Sequence, residues 1–240
     1  MLSKHFNVFF LCTFFSISSN FLHSDIIVPE SVLKEINSFK LKKPIYRTKS
    51  EAIILLEKVI EKVNPSAVEL CKKTGLNIEK CNWKLEVISG NQFNAYASGD
   101  NKISFFTGLV RGVYYEEELA FVVAHEIGHH LANHLNESRS RSIIGAILGA
   151  ALGMEDGYGI DAAIIGSNLG SLSYSKKQEL EADAISIKIL KDSGYDLEKA
   201  RMGVIRLTRT GPSRMYSVFS DTHPSGPERI MWFDEISKNE

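Results

Sequence analysis

The chain has 240 residues, of which 44% are hydrophobic and 24% are charged, and its formal net charge is -1 at pH 7. This length and composition fit one compact domain with a sizeable core. The near-neutral charge offers no support for a nucleic-acid partner, because proteins that bind nucleic acid carry a clear surplus of Lys and Arg.

The first 24 residues have the layout of a secretory signal. Lys4 precedes an apolar stretch over residues 8–15, and small polar residues follow it, so that cleavage is expected after Ser18 or Ser24. The apolar stretch is too short to predict a membrane span, although an uncleaved N-terminal anchor stays open as an alternative. We therefore expect an exported protein whose residues 25–240 form a single domain.

Two cysteines, Cys71 and Cys81, follow this segment. A disulfide between them would close a short loop and, in an oxidising compartment, add roughly 3 kcal/mol of stability. Two reduced core thiols are the alternative. The compartment we expect is the bacterial periplasm. The mitochondrial intermembrane space is less favoured, because the N-terminal segment lacks the Arg-rich amphipathic pattern of a transit peptide.

A helix and three short strands are predicted next. A capping box at Thr48–Glu51 opens the helix, which Pro65 is expected to interrupt. Apolar and polar residues alternate over 83–87, as in a half-buried strand. Two further strands are expected at 93–97 and 103–106, with a turn between them.

The following helix carries the most informative motif of the chain. An acidic first turn at Glu116 and an apolar run lead into His-Glu-Ile-Gly-His at residues 125–129. Residues four apart share a helix face, so His125 and His129 point the same way with a carboxylate beside them. Gly128 costs about 1 kcal/mol relative to Ala inside a helix, and we expect it to admit close contact with another element.

Zinc makes this spacing chemically useful. A catalytic zinc site keeps one of its four positions for water, whose pKa falls from about 16 to near 7 when the metal binds it. Glu126 could take that proton as the water attacks a peptide carbonyl, and then return it to the leaving amine. We therefore predict one zinc ion per chain, bound in part by His125 and His129, with Glu126 as the general base; the alternative is a chance occurrence of the motif.

The third metal ligand is predicted from the segment that begins at Gln178, where a second buried helix is expected. Glu179 and Asp183 are four residues apart and share a face, whereas Glu181 points roughly to the opposite side. We assign Glu179 to the metal and Asp183 to a hydrogen bond that orients a ligand histidine through its other ring nitrogen. The alternative is a solvated acidic face.

Residues 143–170, between these two helices, are apolar and rich in glycine. Gly145, Gly149 and Gly153 are four apart, and small residues at this spacing let helices approach closely in water or in lipid. The first apolar run is about a dozen residues long, too short to span a bilayer. We expect a packed helical excursion; the alternative is a membrane-facing or substrate-gating element.

Four short motifs follow one another in the chain: Asn94-Ala95-Tyr96-Ala97 with the strand after it, His125 to His129 with His134, Glu179 to Asp183, and Thr222-His223-Pro224 with Arg229-Ile230. In these motifs and their order the chain resembles the gluzincin metallopeptidase family that includes HtpX, the CAAX prenyl endopeptidases and the mitochondrial Oma-type proteases. The resemblance covers roughly residues 45–235 and implies an α+β fold, mostly helical, with a small antiparallel sheet beside the active-site helix.

The resemblance implies two further residues for the site. His223 lies near the metal in such enzymes, where it would stabilise the oxyanion or regulate access to the open coordination position. As a bare sequence feature before Pro224, it could equally be a turn residue. Arg229 is expected to pair with a carboxylate near the site.

Residues Asn94, Ala95, Tyr96 and Ala97 are expected to form an edge strand beside the zinc. Such a strand could bind an extended peptide by main-chain hydrogen bonds, so that substrate shape matters more than side chains. A strand that serves only the core is the alternative.

These features predict a zinc-dependent metalloendopeptidase that hydrolyses misfolded or unassembled envelope proteins. The expected partners are unfolded or membrane-associated polypeptides, with peripheral membrane contact and no prediction of oligomeric state. The alternative is a chaperone-like envelope assembly factor whose protease site is normally blocked. An aminopeptidase is disfavoured, because the Gly-x-Met-Glu-Asn element expected ahead of the zinc motif appears only in altered form, at 153–156, after it.

Overall fold

A computed structural model describes residues 28–40, 45, 47–73, 78–135, 174–208, 223 and 226–239. The signal-like N-terminus and the glycine-rich stretch 143–170 lie outside these residues. The helices are α1 (Glu30–Ser38), α2 (Lys49–Lys73), α3 (Thr107–Gly112), α4 (Glu116–Leu131), α5 (Lys176–Asp192), α6 (Leu197–Thr208) and α7 (Pro227–Asn239), and the strands are β1 (Lys84–Ile88), β2 (Ala95–Ser98) and β3 (Lys102–Phe106).

Helix α4 is the centre of the molecule. Three Glu residues in its first turn suit the helix dipole, and every residue from Glu118 to His129 is buried. A helix that is apolar on all sides must be covered on all sides, and α4 packs against α2, α5, α6 and β2. Among the described residues, no helix combines the length and hydropathy that crossing a bilayer requires.

Helices α4 and α5 approach each other closely at Gly128. A Cβ added there would lie 2.9 Å from the carbonyl oxygen of Ala182 and 3.1 Å from its Cα. The predicted contact at this glycine is therefore confirmed. The absence of a side chain at Gly128 lets the backbone of α5 approach the metal-motif helix.

The sheet confirms the α+β class but is mixed rather than antiparallel. Strand β3 lies in the middle, parallel to β1 and antiparallel to β2. Successive strands still alternate in direction, but β1 pairs with the second strand after it, and this makes the β1–β3 pair parallel. Asp100 and Asn101 have φ of 60° and 56°, as a tight hairpin turn between β2 and β3 requires. Strand β2 is therefore left at an edge of the sheet, as predicted, and it begins at Ala95 rather than at residue 93.

Helix α2 runs through Pro65 without interruption, so the predicted break was wrong. Proline removes one intrahelical hydrogen bond, but α2 buries an apolar face on both sides of it, including Val63 and Ala67. Tertiary packing outweighs the local preference. At its end, Cys71 forms a disulfide with Cys81, with sulfur atoms 2.00 Å apart, which links α2 to the segment that enters β1.

Helix α7 closes the fold against α5 and α6. The indole Nε1 of Trp232 donates to the carbonyl oxygen of Leu180 at 2.9 Å. Phe233 is buried against Phe121 of α4, with ring centroids 5.9 Å apart. These contacts fix the face of α7 that carries Arg229, so that its guanidinium reaches the carboxylates of α5.

Candidate metal centre

The two histidines of the motif on α4 converge, as their spacing predicts. Their Nε2 atoms lie 3.0 Å apart, and both side chains are buried. Glu179 reaches them from α5, whose N-terminus is fixed by a capping box between Ser175 and Gln178. Because α5 approaches α4 closely, the Glu179 carboxylate lies between the two imidazoles.

A fourth side chain, His223, joins this group. One ligand atom from each of His125, His129, Glu179 and His223 lies within 4.8 Å of the others, and all four residues are buried. The sequence places His223 near the metal only through the family resemblance. The structure brings its Nδ1 into the donor cluster itself, which we define as these four residues.

The separations within the donor cluster fit a tetrahedral ion. The Glu179 oxygens lie 3.3 Å from Nε2 of His125 and 3.4 Å from Nε2 of His129. Nδ1 of His223 lies 3.3 Å from Nε2 of His125 and 3.2 Å from Oε1 of Glu179. Four ligands about 2.1 Å from a tetrahedral zinc are about 3.4 Å from one another. Nitrogen and carboxylate donors at this spacing suit zinc.

The electrostatics of the cluster favour a cation. Burial alone would lower the pKa of His125, but the charge of Glu179 and the hydrogen bond with Asp183 outweigh it and raise the value to about 9. Burial holds the pKa of His129 well below its usual range, so this ring is neutral, the form in which imidazole binds metal. Although burial opposes it, positive side chains around Glu179 hold the pKa of that carboxyl well below its usual range.

Glu126 lies beside the donor cluster and outside it. Its carboxylate is buried, and Oε1 lies 3.3 Å from Nε2 of His223. Burial raises the pKa of Glu126 above its ordinary value, although His223 and His125 act against this. A carboxylate with a raised pKa beside a metal site is suited to accept and return a proton near neutral pH.

Asp183 and Arg229 support the donor cluster from behind. Oδ1 of Asp183 lies 2.9 Å from Nδ1 of His125, which is the contact predicted for it. Arg229 donates to both oxygens of Asp183, at 2.6 and 2.7 Å, and its Nη1 lies 3.1 Å from Glu179. The carboxylate partners of Arg229, which the sequence leaves open, are therefore these two residues of α5.

Three residues around His129 were missed by sequence reasoning as parts of the site. The ring of Tyr174 stacks on His129 with centroids 3.6 Å apart. Nδ1 of His134 lies 2.9 Å from Nδ1 of His129, and its Nε2 lies 3.2 Å from Oε2 of Glu181. Glu181 points away from the helix face that carries Glu179, and its carboxylate contacts His134 instead. The position of His134 five residues after His129 was the available signal, whereas Tyr174 precedes α5 without any pattern.

Strand β2 presents part of its main chain toward the site. Phe106 donates to the carbonyl of Asn94, and Tyr96 lies opposite Ser104, which together set the antiparallel ladder. In such a ladder only alternate residues of a strand form hydrogen bonds with the neighbouring strand, so the peptide groups of Ala95 and Ala97 face away from β3. Strand β2 packs against α4, and the backbone N–H of Ala97 is one of the groups that act to lower the pKa of the Glu126 carboxyl. The predicted strand residues 94–97 therefore lie beside the base, and no described strand pairs with this outer edge.

Comparisons with known proteins agree with this geometry. Over 156 residues the chain is 32% identical to the mitochondrial metalloendopeptidase OMA1 of Arabidopsis thaliana, a match that covers 64% of this chain and 31% of that protein. The chain thus spans less than a third of that relative's length. Residues 57–237 match peptidase family M48, whose metallopeptidases depend on zinc. The resemblance carried by the four sequence motifs is confirmed: the chain belongs to peptidase family M48.

Proposed function

We propose that this protein is a zinc metalloendopeptidase that cleaves polypeptides at the donor cluster on α4 and α5. The observation that carries the proposal is the convergence of His125, His129, Glu179 and His223 at ligand spacing, with the Glu126 carboxylate beside them. Two imidazoles, a carboxylate and an adjacent general base are the parts that metal-assisted peptide hydrolysis requires.

Glu126 and Asp183 have different roles in the proposed reaction. Bound zinc would polarise a peptide carbonyl and make water acidic. Glu126 takes a proton from the attacking water and passes it to the amine that leaves, a role for which its buried position and raised pKa suit it. Asp183 accepts from Nδ1 of His125 and so holds this ring in the tautomer whose Nε2 lone pair would be available to a bound ion.

His223 is proposed to regulate access to the ion. Its Nδ1 lies 3.3 Å from Nε2 of His125 and 3.2 Å from Oε1 of Glu179, the spacing expected of a fourth ligand, and its Nε2 lies 3.3 Å from the base. A tetrahedral ion with four protein ligands has no position left for water. His223 must therefore move aside before substrate is cleaved, and it could then donate to the developing oxyanion.

An extended substrate is proposed to bind along the outer edge of β2. Hydrogen bonds with the N–H and C=O of Ala95 and with the C=O of Ala97 would hold its main chain, with little demand on its side chains. Unfolded segments can present such a main chain, whereas folded proteins cannot. The substrates we propose are misfolded or unassembled envelope proteins, some of them at a membrane surface.

The location we propose is the bacterial periplasm. The Cys71–Cys81 disulfide supports an oxidising compartment, as does the signal-like N-terminus. The relative from Arabidopsis thaliana is named as mitochondrial, and the intermembrane space is the less favoured location for this chain.

A second candidate function is a chaperone-like assembly factor whose protease site is normally blocked. The observation that favours it is the place of His223 inside the donor cluster, where it would close the site. This candidate predicts that a protein without its general base still rescues an envelope defect, since binding would be the main activity.

The test of the proposed function is the Glu126→Gln variant. Glutamine keeps the shape of the side chain but cannot accept the proton, so casein cleavage is expected to fall by at least about 100-fold while one zinc per chain is retained. The measurements are fragment release and metal content of the purified protein.

Glu117→Gln is the matched control, because Glu117 lies on the same helix and pairs with Lys199, away from the donor cluster. It is expected to cleave casein like the unchanged protein. Full activity in Glu126→Gln would reject Glu126 as the base, and a purified wild-type protein that binds no zinc would reject the metallopeptidase itself.

A further inference from the structure

Two side chains outside the donor cluster form a series of contacts with His129: His134 contacts His129, and Glu181 contacts His134. Nδ1 of His129 lies 2.9 Å from Nδ1 of His134, and Nε2 of His134 lies 3.2 Å from Oε2 of Glu181. His134 is fully buried, while the Glu181 side chain is 33% exposed. The series therefore runs from the cluster to the protein surface.

The chemistry of imidazole allows one arrangement of protons along this series. A neutral imidazole carries one proton, so a ring whose Nε2 lone pair binds a metal must carry that proton on Nδ1. Nδ1 of His129 then donates to Nδ1 of His134, which must accept. His134 in turn carries its proton on Nε2 and donates it to the Glu181 carboxylate.

We propose that His134 and Glu181 form a positioning dyad that holds His129 in its metal-binding tautomer and orientation. The inference rests on the proposed role of His129 as a ligand. The dyad does for His129 what Asp183 does directly for His125, through a contact of the same length, 2.9 Å. Tyr174 supports it by stacking on the His129 ring at an interplanar angle of 16°.

The two supports differ in their access to solvent. Asp183 is fully buried and accepts two hydrogen bonds from Arg229, whereas Glu181 is partly exposed. Water can therefore replace Glu181 in part as the acceptor for His134, whereas His134 itself is fully buried beside His129. The dyad predicts a graded effect on metal affinity, with His134 the more important member.

The test is zinc affinity, measured by competition with a chromophoric chelator on the full chain. Loss of a residue that orients a ligand histidine costs about 10- to 100-fold in metal affinity. We expect His134→Leu to weaken zinc binding by that factor and Glu181→Ala to weaken it by a smaller but measurable factor. His134→Asn, whose side-chain oxygen can accept from Nδ1 of His129, should recover most of the affinity.

Two comparisons separate positioning from a general structural effect. Asp192→Ala removes an exposed carboxylate from the same helix, where it pairs with Lys188, and should leave zinc affinity unchanged. Because the dyad acts in series, adding Glu181→Ala to His134→Leu should cause no further loss, whereas independent effects would multiply.

The proposal is overturned if folded His134→Leu and Glu181→Ala both bind zinc as tightly as the unchanged protein, or if their effects multiply. A wild-type protein that binds no zinc would instead refute the proposed metal centre on which the dyad depends. Circular dichroism of each metal-free variant establishes that it is folded, and Glu181→Ala keeps the test valid if His134→Leu does not fold.

Discussion

At the scale of single residues, His223 differs from the other members of the donor cluster because it lies on neither α4 nor α5. The other three are fixed by helix geometry and by the close approach at Gly128. His223 is fixed by its own contacts with His125, Glu179 and Glu126. Because His223 belongs to neither helix, its movement would not require α4 or α5 to move.

The corresponding prediction concerns His223→Ala. If His223 closes the site, its removal opens a coordination position and leaves three ligands, so basal peptide cleavage should rise several-fold with one zinc per chain retained. Cleavage of a fluorogenic peptide measures the change. A fall of tenfold or more with zinc retained would instead assign His223 to stabilising the oxyanion, which is worth about that much or more.

At the scale of elements, the α4–α5 contact decides whether the carboxylate and the imidazoles meet. Gly128→Ala tests it: alanine favours a helix by about 1 kcal/mol, but its Cβ would lie 2.9 Å from the carbonyl oxygen of Ala182, which belongs to a helix backbone. We expect the variant to lose about 1–3 kcal/mol of unfolding free energy, as overpacked cores do, and to bind zinc more weakly.

Chemical denaturation and zinc competition measure these two effects of Gly128→Ala. Gly99→Ala serves as control, because an added Cβ there meets nothing within 4 Å among the described residues. A Gly128→Ala protein with normal stability and zinc affinity would show that the two helices can move apart at no cost.

The sequence predicted α4 and α5, and with them the core of the donor cluster, because the four-residue spacings His125–His129 and Glu179–Asp183 are local properties of helices. It could not predict which strands pair, since alternation within β1 specifies its faces and not its neighbour. The same limit hid Glu181: its helix position is local, but its partner His134 is brought to it by tertiary packing. The prediction of an interruption at Pro65 was wrong for a related reason, because the burial of apolar residues along α2 outweighed the local preference of proline.

At the scale of the whole molecule, the disulfide and the donor cluster stabilise different regions. The Cys71–Cys81 bond links the end of α2 to the segment that enters β1. The donor cluster instead joins α4, α5 and His223, which lies ahead of α7. Replacing both cysteines by serine should therefore lower stability by about 3 kcal/mol and leave zinc affinity unchanged.

Thermal unfolding of the zinc-loaded protein measures the effect of this double replacement, and a fall in Tm of about 6–12 °C corresponds to that free energy. A reducing agent should lower the Tm of the unchanged protein in the same way and leave the double variant unaffected. Equal Tm values with and without reductant in the unchanged protein would contradict the prediction.

The outer edge of β2 has a consequence for where this protein would cut. Because β2 packs against the helix that carries Glu126, a chain that added itself to this strand would be brought beside the general base by its backbone alone. Main-chain hydrogen bonds repeat along a strand and do not read side chains, so they would orient the bound chain without fixing which of its residues lies at the base, and many unrelated sequences would be cleaved. Selectivity would come from which proteins expose a free length of chain.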